Sequence, residues 1–525
     1  MKNMEKINKI TINVNSQKKP INPGIYSNFI EHIGDCIHNG IWAYDPVNVP
    51  LVENPMLLGL RNDGIRKDVL QVVKNAKITV LRAFGGCYSD VYHWKDAIGP
   101  RNLRKKVKNL HWGIIEGAEI EGIGPDIDNQ FGTDEFLVFC EEIGARPYLN
   151  VNYGTGTPDE AADWVEYCNG SENTEYGALR IKNGRIKPYN VEIWGIANEI
   201  YGFWEVGFEK LPENYAKKYL EFAKAMREKD PTIQLVACGY ENSKWNRAIL
   251  KGIGEQWIDY LSIHQYFPYY AGITRKKNHP HNERCYHALM ASAPMIENYI
   301  IDTWKDIVVV LGDNTHVRIA FDEWGVWYLM KDVIKTNYNL QDGIWTVLVL
   351  MTFQKISDIC PIANWAQLIN TIGIIQTDPD GLILTPVYLA FKLFRDHMHY
   401  NLLENVKVEC ETFDNLKFGR IPKMQNVPYI ACNVNISANG ENLSIMIVNK
   451  HFTDKLKVNL EVKGFIPNEN GMIIELTSKS PFDYNTIKNR NLIQIMENQI
   501  ENIKPNITLE LAAHSVSILK LTKKI

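Results

Sequence analysis

The sequence predicts an α/β fold, a (β/α)8 TIM barrel followed by a C-terminal antiparallel β-sandwich, and three observations carry that expectation. From about residue 25 to 370, short strand-like runs alternate with amphipathic stretches, the pattern of βα units around a parallel sheet. The long connections are those that follow the strands, where such barrels build their sites. Beyond about Pro386 the texture changes to apolar and polar residues alternating between Asn, Gly and Pro turns.

Taken in order, the run Lys6 to Val14 alternates like a strand and is expected to join the sandwich. Eight barrel strands are read at Ile25 to Ile30, Ile78 to Arg82, Arg146 to Asn152, Val191 to Ala197, Gln234 to Ala237, Ile258 to His264, Val317 to Asp322 and Ile359 to Trp365. About fifty residues separate Arg82 from the helix starting at Thr133, about twenty-five follow His264 and about fifteen follow Glu323, lengths that in compact domains usually carry function. Helix-to-strand links are mostly short, with Gly170 to Asn190 as an exception of no evident functional content. Val387 to His397 reads as a last helix. Val427 to Lys450, Lys455 to Val462, Gly471 to Leu476 and Ile507 to Leu521 read as strands of the sandwich. The division expected is residues 1–20 as a strand joining the sandwich, 21–385 as the barrel, and 386–525 as last helix and sandwich.

Composition narrows the function classes. The chain has 525 residues, 45% apolar and 22% charged, ordinary values for a globular protein large enough for more than one core. Lys and Arg number 57 against 61 Asp and Glu, a formal charge of -4, with one short basic cluster from Arg104 to Lys108 that reads as a solvated loop face. No electrostatic case for nucleic acid follows. Nine cysteines, widely spaced and without a CxxC pair, suggest neither a disulfide framework nor a zinc motif. The first residues lack a signal-peptide pattern and no uncharged stretch is long enough to span a bilayer, so a cytoplasmic address is expected, away from the membrane.

Two strand ends carry the chemistry. Trp194-Gly195-Ile196-Ala197-Asn198-Glu199 is an apolar strand ending in an acid at the barrel mouth, where partial burial is expected to raise the carboxyl pKa and suit it to donate a proton. Ile319-Ala320-Phe321-Asp322-Glu323-Trp324-Gly325 repeats the arrangement. Strand alternation predicts that Asp322 and Glu323 point to opposite faces, so that Glu323 enters the mouth and Asp322 serves as partner to a neighbouring basic group. Strands four and seven lie across a barrel from one another. Two carboxylates about 5 Å apart are the apparatus of a retaining glycosidase, in which one attacks the anomeric carbon while the other protonates the leaving oxygen and later activates water.

These segments closely resemble glycoside hydrolase family 51, the α-L-arabinofuranosidases. The matching stretches are Asn28-Phe29-Ile30-Glu31-His32-Ile33-Gly34, Gly85-Gly86-Cys87 running into Tyr92-His93-Trp94-Lys95-Asp96-Ala97-Ile98-Gly99-Pro100, Phe131-Gly132-Thr133-Asp134-Glu135-Phe136, Gly154-Thr155-Gly156-Thr157, Asn198-Glu199 and Asp322-Glu323-Trp324. The resemblance implies a barrel with Glu199 and Glu323 at the acid/base and nucleophile positions, and a pocket for terminal arabinose lined by Glu31, Cys87, Asn198, His264, Tyr266, Trp327 and Gln367. It implies arabinose-containing oligosaccharides as substrates, no cofactor and no metal, and a homo-oligomer, often a hexamer. Arg82, at the end of strand two, can pair with a catalytic carboxylate or tie the barrel together. The chain departs from the family at Ala83-Phe84, where an aromatic residue and proline are common, at Ala197, where glycine is frequent, and at Phe267, where a second tyrosine is often seen.

Three other readings compete. The same chemistry can act on a xyloside or β-glucan. A metal-dependent hydrolase could use His32, His38, His264, Asp322 and Glu323, although no HxH or HExxH spacing is present. A carbohydrate-binding protein without catalysis would keep the aromatic residues and dispense with one of the acids.

Overall fold

In the computed structural model the described residues are 8–43, 64–113, 124–270, 281–329, 333–334, 336–378, 380–504 and 506–524. Lys6 and Ile7, the start of the expected N-terminal strand, lie outside them. All eight expected barrel strands form and close on themselves in chain order, each pairing in parallel with the next and the eighth with the first. They are Ser27–Phe29, Val80–Ala83, Arg146–Val151, Ile193–Ile196, Gln234–Cys238, Tyr260–Tyr270, Arg318–Leu329 and Ile362–Ala366. Strands six and seven are far longer than the sequence suggests and stay paired beyond the barrel rim, as far as Tyr270 against Leu329. Val80, Tyr148, Ile193, Val236, Ala320 and Ile362, near the N-terminal ends of six strands, pack together inside the barrel. That plug closes one end and leaves the other for polar groups.

The sequence places Asp322 and Glu323 on opposite faces, and the structure does not. Strand seven pairs Ala320 with Ser262 but Glu323 with His264, and Phe321 with Ala363 but Trp324 with Trp365. One extra residue therefore stands on strand seven against both neighbours. A bulge of this kind breaks the two-residue period and turns consecutive side chains toward the same side.

The C-terminal strands form a four-stranded and a seven-stranded sheet. Asn8–Asn13 runs parallel to Leu456–Lys463 and antiparallel to Lys407–Glu409 in the smaller sheet. Ile10, Ile12, Val458 and Leu460 meet Ile445, Ile447, Leu519 and Leu521 in the core between the sheets. The other face of the larger sheet, with Met446, Val448 and Ile518, joins the core that surrounds the barrel. Strand Asn442–Asn449 is consequently buried on both faces, whereas Leu456–Lys463 alternates buried and exposed.

Between barrel and sandwich runs the helix Leu340–Ile356, mostly apolar and buried on all its faces except at Lys355. Asn433 of the larger sheet donates to the Met351 carbonyl at 2.9 Å and fixes this contact. Pro386–His397, the expected last helix, packs beside it and on Lys67–Ala76 against the barrel. The link from 170 to 190 contains a short helix, Glu175–Lys182, and a hairpin of Ile375–Asp378 with Gly381–Leu384 was not foreseen. In the basic cluster the Arg104 side chain is buried, its guanidinium bound to Glu135 at 2.9 Å, so that residue makes a structural ion pair and is not part of a solvated face.

Candidate active site

At the C-terminal ends of the strands lies a pocket of about 470 Å³. Eight of the nine residues named from the sequence line it: Glu31, Cys87, Glu199, His264, Tyr266, Glu323, Trp327 and Gln367. Asn198 stands behind the wall, 1% exposed. Its side-chain oxygen accepts from Arg82 Nη2 at 2.7 Å and its Nδ2 donates toward Glu205 at 3.4 Å.

Local backbone explains how each acid arrives. Strand four ends at Ile196, after which Ala197 and Glu199 take positive φ values of 78° and 42°. Two left-handed residues in three turn the chain sharply inward, which accounts for a glycine being favoured at position 197. Strand six has Ser262, His264 and Tyr266 two residues apart, on the inner face of its pleat. The turn after strand two passes close over the acids at Gly86, where a Cβ would lie 3.0 Å from Glu31 Oε2 and 3.1 Å from Glu323 Oε1. Phe84, in place of the family proline, fills an aromatic group with Tyr92, Phe136 and Trp164.

Glu323 accepts from Arg82 Nη1 at 3.0 Å and from the Tyr266 hydroxyl at 2.9 Å. Glu199 is bonded to His264 Nδ1 at 2.8 Å and accepts from Trp204 Nε1 at 3.1 Å. Donor atoms of Glu199, His264 and Glu323 lie within 4.8 Å of one another, so the two carboxylates approach as closely as a retaining pair requires. Asp322 lies beneath. It accepts from Tyr148 at 2.8 Å and Ser262 at 2.5 Å, and stands 3.3 Å from His264 Nε2 and 3.6 Å from Arg82 Nε. It is the partner of basic groups that the sequence suggested, although it reaches them from the same side as Glu323. Glu31 accepts from the Tyr88 backbone, from Trp112 Nε1 and from Gln367 Nε2 at 2.8, 2.9 and 3.0 Å.

Electrostatics correct one expectation. Burial does oppose the charge of Glu199, but the hydrogen bond and charge of His264 outweigh it and hold the carboxyl below its usual value. Burial likewise opposes a charge on His264, and Glu323, Asp322 and Glu199 together overcome it, pushing the imidazole up to about 10. Burial, reinforced by Glu199 and Asp322, raises Glu323 despite His264 and Arg82. Asp322 is held down at about 2, burial being outweighed by Arg82 and His264. For Glu31 burial dominates and lifts the carboxyl to about 7, with Glu323 adding to it against the Tyr88 amide and Trp112.

Sequence reasoning left Arg82 undecided and passed over Trp112 and Trp204. Arg82 binds Glu323, the Asp322 carbonyl and Asn198 at once while 1% exposed, which makes it the hub of the site. A basic residue at the end of an apolar strand was its only signal. Trp204 sits five residues beyond Glu199 in an aromatic loop, a signal that was there to be used. His32 and His38 lie instead in an aromatic group with Phe84, Tyr88 and Tyr92, away from the acid pair.

Residues 72–284 match the α-L-arabinofuranosidase 1 domain and residues 322–515 the α-L-arabinofuranosidase C-terminal domain. α-L-Arabinofuranosidase C of Emericella nidulans is 32% identical over 533 residues, covering 97% of this chain and 97% of that protein. The α-L-arabinofuranosidase of Thermotoga maritima, solved as an arabinose complex, is 36% identical with a TM-score of 0.86 over 98% of this chain and 100% of its own. The thermostable family 51 enzyme of Thermotoga petrophila RKU-1 is 36% identical with a TM-score of 0.85 over 98% of this chain and 99% of its own. With both family models matched and full-length relatives at 32–36% identity sharing the fold, the chain belongs to glycoside hydrolase family 51, the α-L-arabinofuranosidases.

Proposed function

We propose that this α-L-arabinofuranosidase removes terminal non-reducing arabinofuranosyl groups from arabinose-containing oligosaccharides by double displacement, with Glu323 as nucleophile and Glu199 as acid/base. The observation that carries the assignment is the convergence of the two carboxylates, an oxygen of one within 4.8 Å of an oxygen of the other and both facing His264 Nδ1, at 2.8 Å and 3.6 Å, the close approach that a retaining pair needs.

Glu323 attacks the anomeric carbon as its carboxylate, oriented by Arg82 and Tyr266 on its two oxygens. The leaving oxygen takes the proton held between His264 and Glu199, delivered through Glu199. An arabinosyl ester on Glu323 results, and the negative charge that does most to keep His264 protonated is gone. Glu199, again a carboxylate, then takes a proton from water as that water attacks the ester, and the Glu199–His264 pair regains its proton. The buried floor of Glu31, Gln367 and Arg82 supports recognition of a single terminal sugar, with Glu31 and Gln367 placed to bond its hydroxyls. Cys87, Asn198 and Trp327 complete that pocket in this reading, Asn198 reaching the 2-hydroxyl after a small side-chain movement.

A homo-oligomer, a hexamer in the family's manner, is part of the same proposal and is supported by family membership. A cytoplasmic address is supported by nine cysteines that are all unpaired, six of them buried. No helix among the described residues is long and apolar enough to cross a membrane.

The test is hydrolysis of 4-nitrophenyl α-L-arabinofuranoside, with the xyloside beside it, by wild type and Glu323→Ala. Turnover of the arabinofuranoside that drops at least about 10⁴-fold in the variant is expected. Preference for the xyloside, or a variant that retains activity, contradicts the proposal.

A further inference from the structure

One wall of the pocket carries ligand-type side chains that take no part in the bond-making and bond-breaking steps. Cys87 follows strand two, His111 comes from the long loop beyond it, and Glu205 from the loop after strand four. One donor atom from each lies within 4.8 Å of the other two. His111 is 3% and Glu205 4% exposed, yet His111 Nε2 and Glu205 Oε2 have no hydrogen-bond partner among the described residues. His111 Nδ1 stands 3.8 Å from Glu205 Oε2, beyond hydrogen-bonding reach. Buried polar atoms left in this way are costly unless something satisfies them.

Burial, with the charges of Glu205, Glu31, Glu199 and Glu323 adding to it, pushes the Cys87 thiol up, and burial with Asp90 and Glu199 pushes Glu205 up likewise, so both hold protons that a bound cation would replace. A thiolate, an imidazole and a carboxylate are a donor set for a thiophilic divalent metal, which accepts three protein ligands and keeps a fourth position open. We infer that Cys87, His111 and Glu205 form a site for such a cation, of which Zn²⁺ is the type, with the fourth position facing the sugar pocket. Metal–ligand distances of about 2.0–2.3 Å set tetrahedral edges of roughly 3.4–3.8 Å, so the three donors, within 4.8 Å of one another, draw together by about 1.4 Å at most. Binding releases the proton of the thiol, and that of Glu205 where it is present, to solvent; no electron is transferred.

The ion inhibits. Cys87 and His111 line the pocket, so a metal held by them occupies space that the sugar needs. This competition, unlike the ion site itself, rests on the sugar-pocket reading given above. The arrangement differs from the Glu199, His264 and Glu323 group, which has no sulfur.

Co²⁺ titrated into the full-length protein tests the site, because a cobalt–thiolate bond has its own sulfur-to-metal absorption band. One Co²⁺ per chain with that band is expected, the band vanishing in Cys87→Ser and the affinity falling about tenfold or more in His111→Gln. Zn²⁺ is expected to displace Co²⁺ and to raise KM for the aryl arabinofuranoside without lowering kcat, reversibly on chelation. Absence of the band in wild type, or its persistence in Cys87→Ser, overturns the site. Zn²⁺ inhibition without a thiolate band assigns the ion to the catalytic acids and overturns it equally. A band indifferent to added arabinose overturns the competition while leaving the site. Should Cys87→Ser fail to fold by circular dichroism, alkylation of Cys87 in wild type replaces it: Zn²⁺ is expected to slow it, and an unchanged rate contradicts the inference.

Discussion

His264 is bracketed by three carboxylates, at 2.8 Å from Glu199, 3.3 Å from Asp322 and 3.6 Å from Glu323, and this environment makes it the proton store of the site. The sign of the pH dependence follows. In the proposed mechanism activity on the acid side requires Glu323 ionised, and burial together with Glu199 moves that limb above the ordinary glutamate value. On the alkaline side it requires the proton of the His264–Glu199 pair, kept until about pH 10. Replacing His264 with glutamine leaves Glu199 alone to hold the proton, so the alkaline limb of kcat/KM moves toward the carboxylate range and the rate at neutral pH falls about 10²–10⁴-fold. A pH–rate profile of His264→Gln with an unmoved alkaline limb contradicts this role. At this scale the place of the two glutamates at the barrel mouth was legible because two apolar strands on opposite sides of the barrel each end in one, a pairing that neither strand shows alone. Arg82 was not, because its partners Asn198 and Glu323 are 116 and 241 residues away and only the closed barrel brings them to it.

Elements, unlike residues, were read from periodicity, and they fail where periodicity does. The eight strands were found because both faces are buried and their apolar runs are bounded by turns. The bulge on strand seven was invisible, since it is defined by pairing with strands six and eight and leaves no mark in the local pattern. Its effect is to bring Asp322 under Glu323, where one guanidinium and one imidazole serve both acids. The turn at the end of strand four offers a cleaner test. Ala197, at φ 78°, occupies a conformation that disfavours an alanine by roughly 1–2 kcal/mol, while glycine there has more freedom to lose from the unfolded chain, about 0.4–1 kcal/mol. Ala197→Gly is therefore expected to keep or slightly raise the thermal midpoint and to leave kcat/KM within about twofold. A clear fall in both, measured by thermal unfolding and aryl arabinofuranoside hydrolysis, would show that the methyl group has a packing or catalytic part.

Across the whole molecule, the seven-stranded sheet is a shared wall, with one face in the core around the barrel and the other in the core of the sandwich. The alternation of the tail identified its strands, but which sheet each joins was beyond the sequence, because that choice depends on the barrel surface it meets. The N-terminal strand shows the coupling: Ile12 is fully buried between the two sheets although the next strand of its sheet in the chain is nearly 400 residues on. Ile12→Ala is expected to lower unfolding stability by about 2–4 kcal/mol in denaturant titration, with kcat/KM of the folded fraction unchanged within about twofold. Loss of activity in the folded protein would mean that the sandwich sets the geometry of the site.

The most direct measurement is to trap the arabinosyl-enzyme. Glu199→Ala, given an activated aryl α-L-arabinofuranoside, loses the base for the second step and keeps a good leaving group for the first, so the ester should accumulate. Peptide mass spectrometry is predicted to find one arabinosyl unit per chain, carried by Glu323. A label on another residue, or steady turnover with no label and an inverted sugar as first product, would contradict double displacement through Glu323.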